Sequence, residues 1–187
     1  MISIGKAFDF DITEKAIANA LPSQRECIII IGAMTAKQMW DLFRKRNRIE
    51  TQEHDEWAFG DVPDELAQLV LEGKKRATAS VYELYEYDGE KLPQVGGYSV
   101  IMDSKDQAVC VIVNTDVRIV PFCEVDEEQA RLEGEGDLSL EYWRKVHREC
   151  FKEWLEEAGR TFGEDTKVVL ETFRVVFSGK EPVSQPR

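Results

Sequence analysis

The hydrophobic period of this sequence changes at Gly73. Before this glycine, Pro63 suits the first turn of a helix, and apolar side chains recur at helical spacing. Those apolar positions are Leu66, Leu69 and Val70. Gly73 can adopt the left-handed backbone conformation that ends a helix. After it, polar residues alternate with apolar ones, which is the period of a strand. The polar positions are Arg76, Thr78, Ser80 and Tyr82. We therefore predict a helix followed by a strand with one polar face.

Three further helices are indicated by capping patterns and apolar stripes. Thr35 and Gln38 form the T-x-x-Q pattern of a capping box, and the helix that follows is predicted to run to about Arg48. Residues 124–132 are typical of a short acidic helix. The next helix is long and amphipathic, because its core-facing side chains recur every three or four positions. These side chains are Leu140, Trp143, His147, Phe151, Trp154 and Ala158.

The remaining ordered segments are predicted to be strands. They span residues 98–102, 108–120 and 167–177, and Pro121 ends the second of them. Residues 50–56 are polar and are predicted to form a connector. The predicted order along the chain is helices, then several strands, two helices and a last strand. This order indicates an antiparallel α+β domain and argues against a doubly wound parallel sheet.

One domain accounts for most of the 187 residues. We assign it residues 35–178, with an N-terminal extension of unknown role at 1–34 and a disordered tail at 179–187. Within the extension, residues 13–20 are predicted to form a short helix, and residues 27–31 are predicted to be buried.

The charge of the chain restricts its partners. The formal net charge is -12, so the molecule as a whole repels polyanions. Two basic islands, at residues 44–48 and 74–76, could each hold one or two phosphates. A small modified nucleoside or a single-stranded RNA fits this pattern better than a long DNA duplex.

The apolar segments indicate a cytoplasmic protein without a membrane partner. The run from 27 to 31 is far shorter than the about 20 residues that a membrane span needs. The four cysteines show no C-x-x-C pairing and lie in apolar patterns, so they are interpreted as buried thiols in a reducing compartment rather than as a zinc site. No cofactor is predicted.

Two segments together supply the groups that activate a nucleophile and protonate a leaving group. Residues 73–78 contain lysines and a threonine, and residues 133–137 contain three carboxylates. Each segment also has a simpler interpretation. The first could be a helix stop with solvated lysines. In the second, Glu135 and Asp137 could form a turn that caps the next helix, or the carboxylates could bind a divalent metal.

Several of these motifs, in this order, resemble the ASCH domain family, and in particular its longer bacterial members with an extra N-terminal helix. The resemblance covers about residues 57–177 and is weaker back to Thr35. It implies a PUA-like fold, which is a small, mostly antiparallel β-barrel with flanking helices and a cleft associated with RNA or modified nucleosides. The motifs are Trp57-Ala58-Phe59-Gly60-Asp61, residues 73–80, Leu92-Pro93 with Gly96, Tyr98-Ser99-Val100, Pro121-Phe122, residues 133–137, and Trp143-Arg144 with His147.

Some short members of this family hydrolyse the acetyl group of N4-acetylcytidine, and their motif G-x-K-x-x-T falls on Gly73, Lys75 and Thr78. Their downstream glutamate falls on Glu133. The resemblance therefore implies Thr78 as nucleophile, Lys75 as base and Glu133 as the acid that protonates the departing cytosine amine. Where the short members carry an arginine two residues after the threonine, this chain has Ser80.

Four further residues are assigned to substrate binding: Arg76, Ser80, Tyr82 and Glu135. Tyr82 shares the predicted strand face of Thr78, so it is the preferred aromatic ring for stacking on a base. Trp57 and Phe59 are expected to pack in the core. His147 lies on an apolar stripe and is interpreted as a hydrogen-bonded core histidine.

Three functions are consistent with the sequence. The first is hydrolysis of an acylated pyrimidine nucleoside. The second is noncatalytic RNA binding, and the third is a metal-assisted ribonuclease activity.

Overall fold

A computed structural model describes residues 34–60 and 62–179 of the chain. The predicted helix at 13–20, the buried segment at 27–31 and almost all of the predicted tail lie outside these residues, as does Asp61. The described elements follow one another in the order α1 (Ala36–Asn47), β1 (Asp55–Ala58), α2 (Pro63–Leu71), β2 (Ala77–Val81), α3 (Tyr82–Asp88), β3 (Tyr98–Met102), β4 (Ala108–Pro121), a 3-10 turn (Phe122–Glu124), α4 (Glu127–Glu133), α5 (Leu140–Glu157) and β5 (Lys167–Ser178).

The five described strands form one sheet in the order β1-β3-β4-β5-β2. Every neighbouring pair is antiparallel except β1 and β3, which are parallel. The pairing of β4 with β5 shifts register at Val111/Ile112 and again at Asn114/Asp116. Such bulges bend long strands, and the sheet curls into a half-barrel. The prediction of an α+β fold with a small, mostly antiparallel barrel and flanking helices is confirmed.

The capping box at Thr35 starts α1 as predicted. The Thr35 hydroxyl accepts a hydrogen bond from the Gln38 amide at 3.3 Å, and Gln38 Oε1 accepts one from the Thr35 amide at 3.0 Å. Arg48, with a left-handed backbone, ends the helix. The buried side of α1 packs on β3 and β4 through Met39, Trp40 and Phe43.

The two faces of the sheet bury different partners. Along β5, Val168 and Leu170 pack with the core of α4 and α5, whereas Phe173 packs on the opposite face with Ile101, Ile112 and residues of α2. We call this opposite face the inner face. Because side chains alternate along a strand, Glu171 lies on the same face as Phe173. The polar part of the inner face begins at this carboxylate.

Three expectations are corrected by the structure. The predicted connector contains the start of β1, whose residues are mostly exposed and therefore lack the alternation that marks a strand. Tyr82 does not extend β2 but begins α3, so it does not share the strand face of Thr78. Cys123 is exposed, because it lies in the surface turn after β4, although Cys110 is buried as expected.

None of the helices in the two described ranges combines the length and the apolar character of a membrane span.

The end of α4 docks against the backbone that precedes β2. The Arg76 amide donates to the Leu132 carbonyl at 2.8 Å. Gly134 follows with a φ of +74°, and a Cβ atom at this position would lie 2.5 Å from the Lys74 carbonyl oxygen. Only glycine permits both the left-handed backbone and this close approach. The contact therefore brings Glu133 beside the start of β2.

We expect Gly134→Ala to lower the free energy of unfolding by the strain of a left-handed residue, about 1 to 2 kcal/mol, plus an overpacking cost of about 1 to 3 kcal/mol. Gly159→Ala is the matched control, because Gly159 has a similar φ of +68° but open space around its Cβ position. Urea unfolding of both variants measures the difference. Equal destabilisation by the two substitutions would contradict the docking role of Gly134.

Candidate functional site

Lys75 is buried at the junction between α2 and β2. After Gly73 takes a left-handed φ of +70°, the amides of Lys74 and Lys75 donate to the Leu69 carbonyl at 2.9 and 3.1 Å. This turn sends the Lys75 side chain inward, where its exposed fraction is only 2%. Its Nζ atom lies 5.1 Å from the centre of the Phe59 ring, which belongs to the core of the inner face. Gly73 therefore does more than stop a helix, since the turn it allows buries an amine.

Two carboxylates compensate the buried amine. Lys75 Nζ donates to Glu135 Oε1 at 2.5 Å and lies 3.5 Å from Glu133 Oε2. Glu133 is as deeply buried as the lysine, whereas Glu135 keeps 24% of its side chain exposed. A buried charge without partners is very unfavourable, so these contacts are needed to keep Lys75 inside the protein. The structure thus brings together three of the predicted site residues.

Both oxygens of Glu133 are engaged. Oε1 accepts hydrogen bonds from Trp143 Nε1 at 2.7 Å and from Gln129 Nε2 at 3.0 Å, and Oε2 lies 3.3 Å from His147 Nε2. Burial acts to raise the pKa of Glu133, but the hydrogen bond from His147 and the charge of Lys75 outweigh it and lower the pKa to about 2. A carboxylate that is ionised at neutral pH has no proton to donate. The geometry therefore supports a positioning role for Glu133 rather than the expected role of acid.

His147 orients the same carboxylate from α5. Its ring stacks on Trp143 with a centroid distance of 4.0 Å, and its Nδ1 atom lies 3.0 Å from the Trp143 carbonyl oxygen. Because a carbonyl only accepts, Nδ1 must carry a proton, and Nε2 donates to Glu133 only when the ring is doubly protonated. This agrees with the interpretation of His147 as a hydrogen-bonded histidine at the edge of the core.

Thr78 lies on the inner face of β2. It is the direct neighbour of Glu171 across the antiparallel pair of β2 and β5. Gln129 Nε2 donates to its carbonyl oxygen at 3.2 Å, which ties the strand to the same helix that carries Glu133. None of the hydrogen bonds among the described residues engages the Thr78 hydroxyl, and its side chain is only partly buried. The hydroxyl is therefore available to a bound molecule.

The polar strand face continues to Ser80, whose hydroxyl lies 2.7 Å from the hydroxyl of Tyr85. Burial raises the pKa of Tyr85 to about 12, although the hydrogen bond with Ser80 lowers it and the nearby charge of Glu171 raises it further. Tyr85 thus occupies the place beside the strand that we expected for Tyr82. Tyr82 instead lies under the Lys167 ammonium group, 5.7 Å from it.

Two functional candidates on the inner face are absent from the sequence prediction. Glu171 is 8% exposed and Asn114 is 6% exposed, and Asn114 Nδ2 donates to Glu171 Oε2 at 2.5 Å. The sequence does contain one sign of Glu171, which is a single carboxylate inside the apolar run of the last strand. Ionisable residues are seldom buried in a strand unless they are paired or functional.

Arg76 is exposed and lines a different part of the surface. An open groove of about 510 Å³ lies beside it, and its walls include neither Lys75, Thr78 nor Glu133. The wall residues are Arg76, Thr115, Asp116, Arg118, Glu128, Leu132, Thr172 and Phe173. The groove has both signs of charge, but Lys75, Thr78 and Glu133 lie outside it. The buried cluster is the better candidate site, because it encloses an amine together with Glu133, whose pKa is lowered.

The acidic segment after α4 has mixed roles. Asp137 Oδ1 accepts from the Ser139 amide at 2.9 Å, and the Ser139 hydroxyl in turn caps α5. This contact supports the interpretation that Asp137 belongs to a turn that caps the next helix. Within the described ranges, His, Cys, Asp and Glu side chains do not form a group of three or more that could hold a metal ion.

Glu133→Gln should reveal the lowered pKa as a pH-dependent loss of stability. Because the pKa in the folded protein lies below the ordinary value of 4.5, the carboxylate stabilises the fold above about pH 4.5, and this contribution is lost as the pH falls toward 2. The wild type should be the more stable protein at pH 5.5, and the gap to the variant should shrink between pH 4.5 and 3. Urea unfolding across this pH range measures the difference in the free energy of unfolding between the two proteins. A gap that stays constant would contradict the assignment.

Comparisons with known proteins identify the family of this chain. No curated protein matches the chain. The crystal structure of protein EF3133 from Enterococcus faecalis V583 has a TM-score of 0.72 and 33% identity, over 78% of this chain and 90% of that one. An ASCH domain from Lactobacillus crispatus JV V101 has a TM-score of 0.70 and 30% identity, over 79% of this chain and 99% of that one. The family model of the ASCH domain matches residues 55–177. The chain belongs to the ASCH domain family.

Proposed function

We propose that this protein is an amidohydrolase that removes an acyl group from the exocyclic amine of a cytidine-type nucleoside. The observation that carries the proposal is the buried Lys75 amine, held between Glu133 and Glu135 at the start of the strand that bears Thr78. A solvated lysine beside a helix end would need no such enclosure. A buried carboxylate whose pKa is shifted by specific charged partners, as that of Glu133 is, is typical of catalytic sites.

In the proposed reaction, Thr78 Oγ attacks the acyl carbon. Lys75 accepts the hydroxyl proton while it passes one of its own to Glu135, whose oxygen lies 2.5 Å from Nζ. Glu133 keeps the amine in place through its second oxygen and is itself fixed by Trp143 and Gln129. The attack requires Thr78 Oγ and Lys75 Nζ to approach within about 3 Å in the complex with substrate.

The enclosure of the cluster favours a small substrate. Thr78 and Ser80 lie on the inner face of a short, curled strand, with Tyr85 beside them. The net charge of -12 adds no general attraction for a polyanion. Ser80, Tyr85 and the partly exposed Glu135 offer the polar contacts that a nucleoside needs for orientation.

A second candidate, binding of single-stranded RNA, is favoured by Arg76. Its side chain takes part in none of the ion pairs among the described residues, and it lines the open groove beside Arg118. Affinity that falls steeply with salt would support this function. Asp116 and Glu128 in the same groove oppose phosphate binding, so we rank it second.

Thr78→Ala and Lys75→Ala should each reduce the turnover of N4-acetylcytidine by at least about 100-fold, because each removes a group that acts in the attack. Lys74→Ala is the matched control. Lys74 is the preceding lysine, but 65% of its side chain is exposed and it pairs with Glu72 at the surface. The control should retain wild-type turnover, measured by chromatographic separation of acetylcytidine from cytidine.

Full hydrolysis by both alanine variants would contradict the proposal. The same protein should also be titrated with single-stranded RNA at two salt concentrations. Tight, salt-dependent RNA binding without any nucleoside hydrolysis would replace the proposed activity with the RNA-binding function.

A further inference from the structure

The departing amine needs a proton, and Glu133, the expected acid, does not supply it. The pKa of Glu133 is lowered to about 2, and its Oε1 atom already accepts two hydrogen bonds. Amide hydrolysis without protonation of the leaving nitrogen is slow, because an amine anion is a very poor leaving group. In the proposed reaction the proton of Thr78 stays with Lys75 and Glu135, so a second acidic group that faces the acyl carbon would complete the reaction.

Glu171 is in the required place. It is paired with Thr78 across the antiparallel strands, and directly paired residues carry their side chains on the same face with Cβ atoms about 4.5 to 5.5 Å apart. Because side chains alternate along β5, Glu171 lies on the same face as Phe173. The Phe173 ring contacts the Phe59 ring, and the Lys75 amine lies over Phe59. Nucleophile, amine and Glu171 thus belong to one side of the sheet.

The second observation is how the carboxyl group is held. Oε2 accepts a hydrogen bond from Asn114, whereas Oε1 takes part in none of the hydrogen bonds among the described residues. Unlike Glu133, Glu171 forms no ion pair within the part of the chain that the structure describes. Asn114 therefore fixes the orientation of the group and leaves one oxygen for a ligand.

The surroundings of Glu171 favour its protonated form. Burial raises the pKa of Glu171, and the negative charge of Asp55 on β1 raises it further, while the hydrogen bond from Asn114 acts in the opposite direction. A buried carboxyl group with a raised pKa is a common source of a proton in hydrolytic enzymes.

We propose that Glu171 is the catalytic acid that protonates the cytosine amine as the acyl group is transferred to Thr78. This inference rests on the proposed function and assigns the donor of the proton that the leaving amine takes. When the bond between the acyl carbon and N4 breaks, its electron pair stays on N4, and the proton of Glu171 moves to N4. The nucleoside leaves as neutral cytidine, and Glu171 becomes a carboxylate beside the acyl ester of Thr78.

The same residue then completes the cycle. The Glu171 carboxylate takes a proton from a water molecule, the resulting hydroxide adds to the ester carbon, and the carboxylic acid departs. The proton held by Lys75 and Glu135 returns to Thr78 Oγ. All atoms of one water molecule are accounted for, and each side chain recovers its starting form.

Comparing two substrates tests the assignment, because only one of them has a leaving group that needs a proton. N4-acetylcytidine must expel an amine whose anion is strongly basic, whereas p-nitrophenyl acetate releases a stable phenolate. We expect Glu171→Gln to lower the single-turnover rate of cytidine release from acetylcytidine by at least about 100-fold. The first-turnover burst of p-nitrophenolate should change less than about fivefold, since glutamine keeps the shape without the proton and only the later hydrolysis of the Thr78 ester is common to both substrates. Glu153→Gln, at an exposed position on α5, is the control and should change neither rate.

Asn114→Ala provides a second variant that leaves Glu171 intact but removes the hydrogen bond that orients it. We expect this variant to show the same selective loss of activity on acetylcytidine, but a smaller loss than that of Glu171→Gln. Glu171→Gln that releases cytidine from acetylcytidine at the wild-type rate would overturn the inference, and so would equal losses in the first-turnover rates of both substrates. Thr78→Ala separates the two proposals: hydrolysis that survives it overturns the proposed function, whereas its loss together with an active Glu171→Gln overturns this inference alone.

Discussion

The buried ammonium group of Lys75 is the constraint on which this part of the structure depends. A lysine that is 2% exposed needs carboxylate partners, and the chain supplies them from the end of α4 and from the turn that follows. Removing one partner of such a pair costs about 3 to 5 kcal/mol. The close approach of Gly134 to the Lys74 backbone, the indole of Trp143 and the ring of His147 all serve to hold Glu133 at this amine. Helix α4, helix α5 and strand β2 are therefore fixed around one charge.

The two buried carboxylates, Glu133 and Glu171, have opposite environments. The hydrogen bond from His147, the charge of Lys75 and the hydrogen bond from Gln129 lower the pKa of Glu133. Glu171 has a single amide donor and another carboxylate, Asp55, as its charged neighbour. Pairs of acidic groups whose surroundings push their pKa values apart are a frequent way to divide structural, basic and acidic tasks within one site. In the proposed reaction, Glu133 holds Lys75 and Glu171 transfers the proton.

The fold was predictable where the sequence has a clear period or cap. Thr35 and Gln38 marked α1, Gly73 marked the turn into β2, and the apolar stripe from Leu140 marked α5. Strand β1 was missed because exposed residues on both faces erase the alternation, and pairing with β3 alone makes it a strand. Tyr82 was misplaced because the alternation of polar and apolar residues continues one position past Val81, where the strand ends. The family motifs predicted that Lys75, Thr78 and Glu133 lie together, and the structure places Lys75 against Glu133. The lowered pKa of Glu133 depends on His147, Lys75 and Gln129, and no spacing along the chain reveals that these three side chains surround it.

The central claim is that an acylated nucleoside binds on the inner face with its acyl carbon at Thr78. A crystal structure of the Thr78→Ala variant with N4-acetylcytidine tests this directly, because the substitution prevents turnover in the crystal. We predict the acyl carbon beside residue 78, the Lys75 amine near the acyl oxygen, and N4 within hydrogen-bonding distance of Glu171. A nucleoside bound instead in the groove beside Arg76, or an inner face that stays empty at saturating ligand concentration, would contradict it.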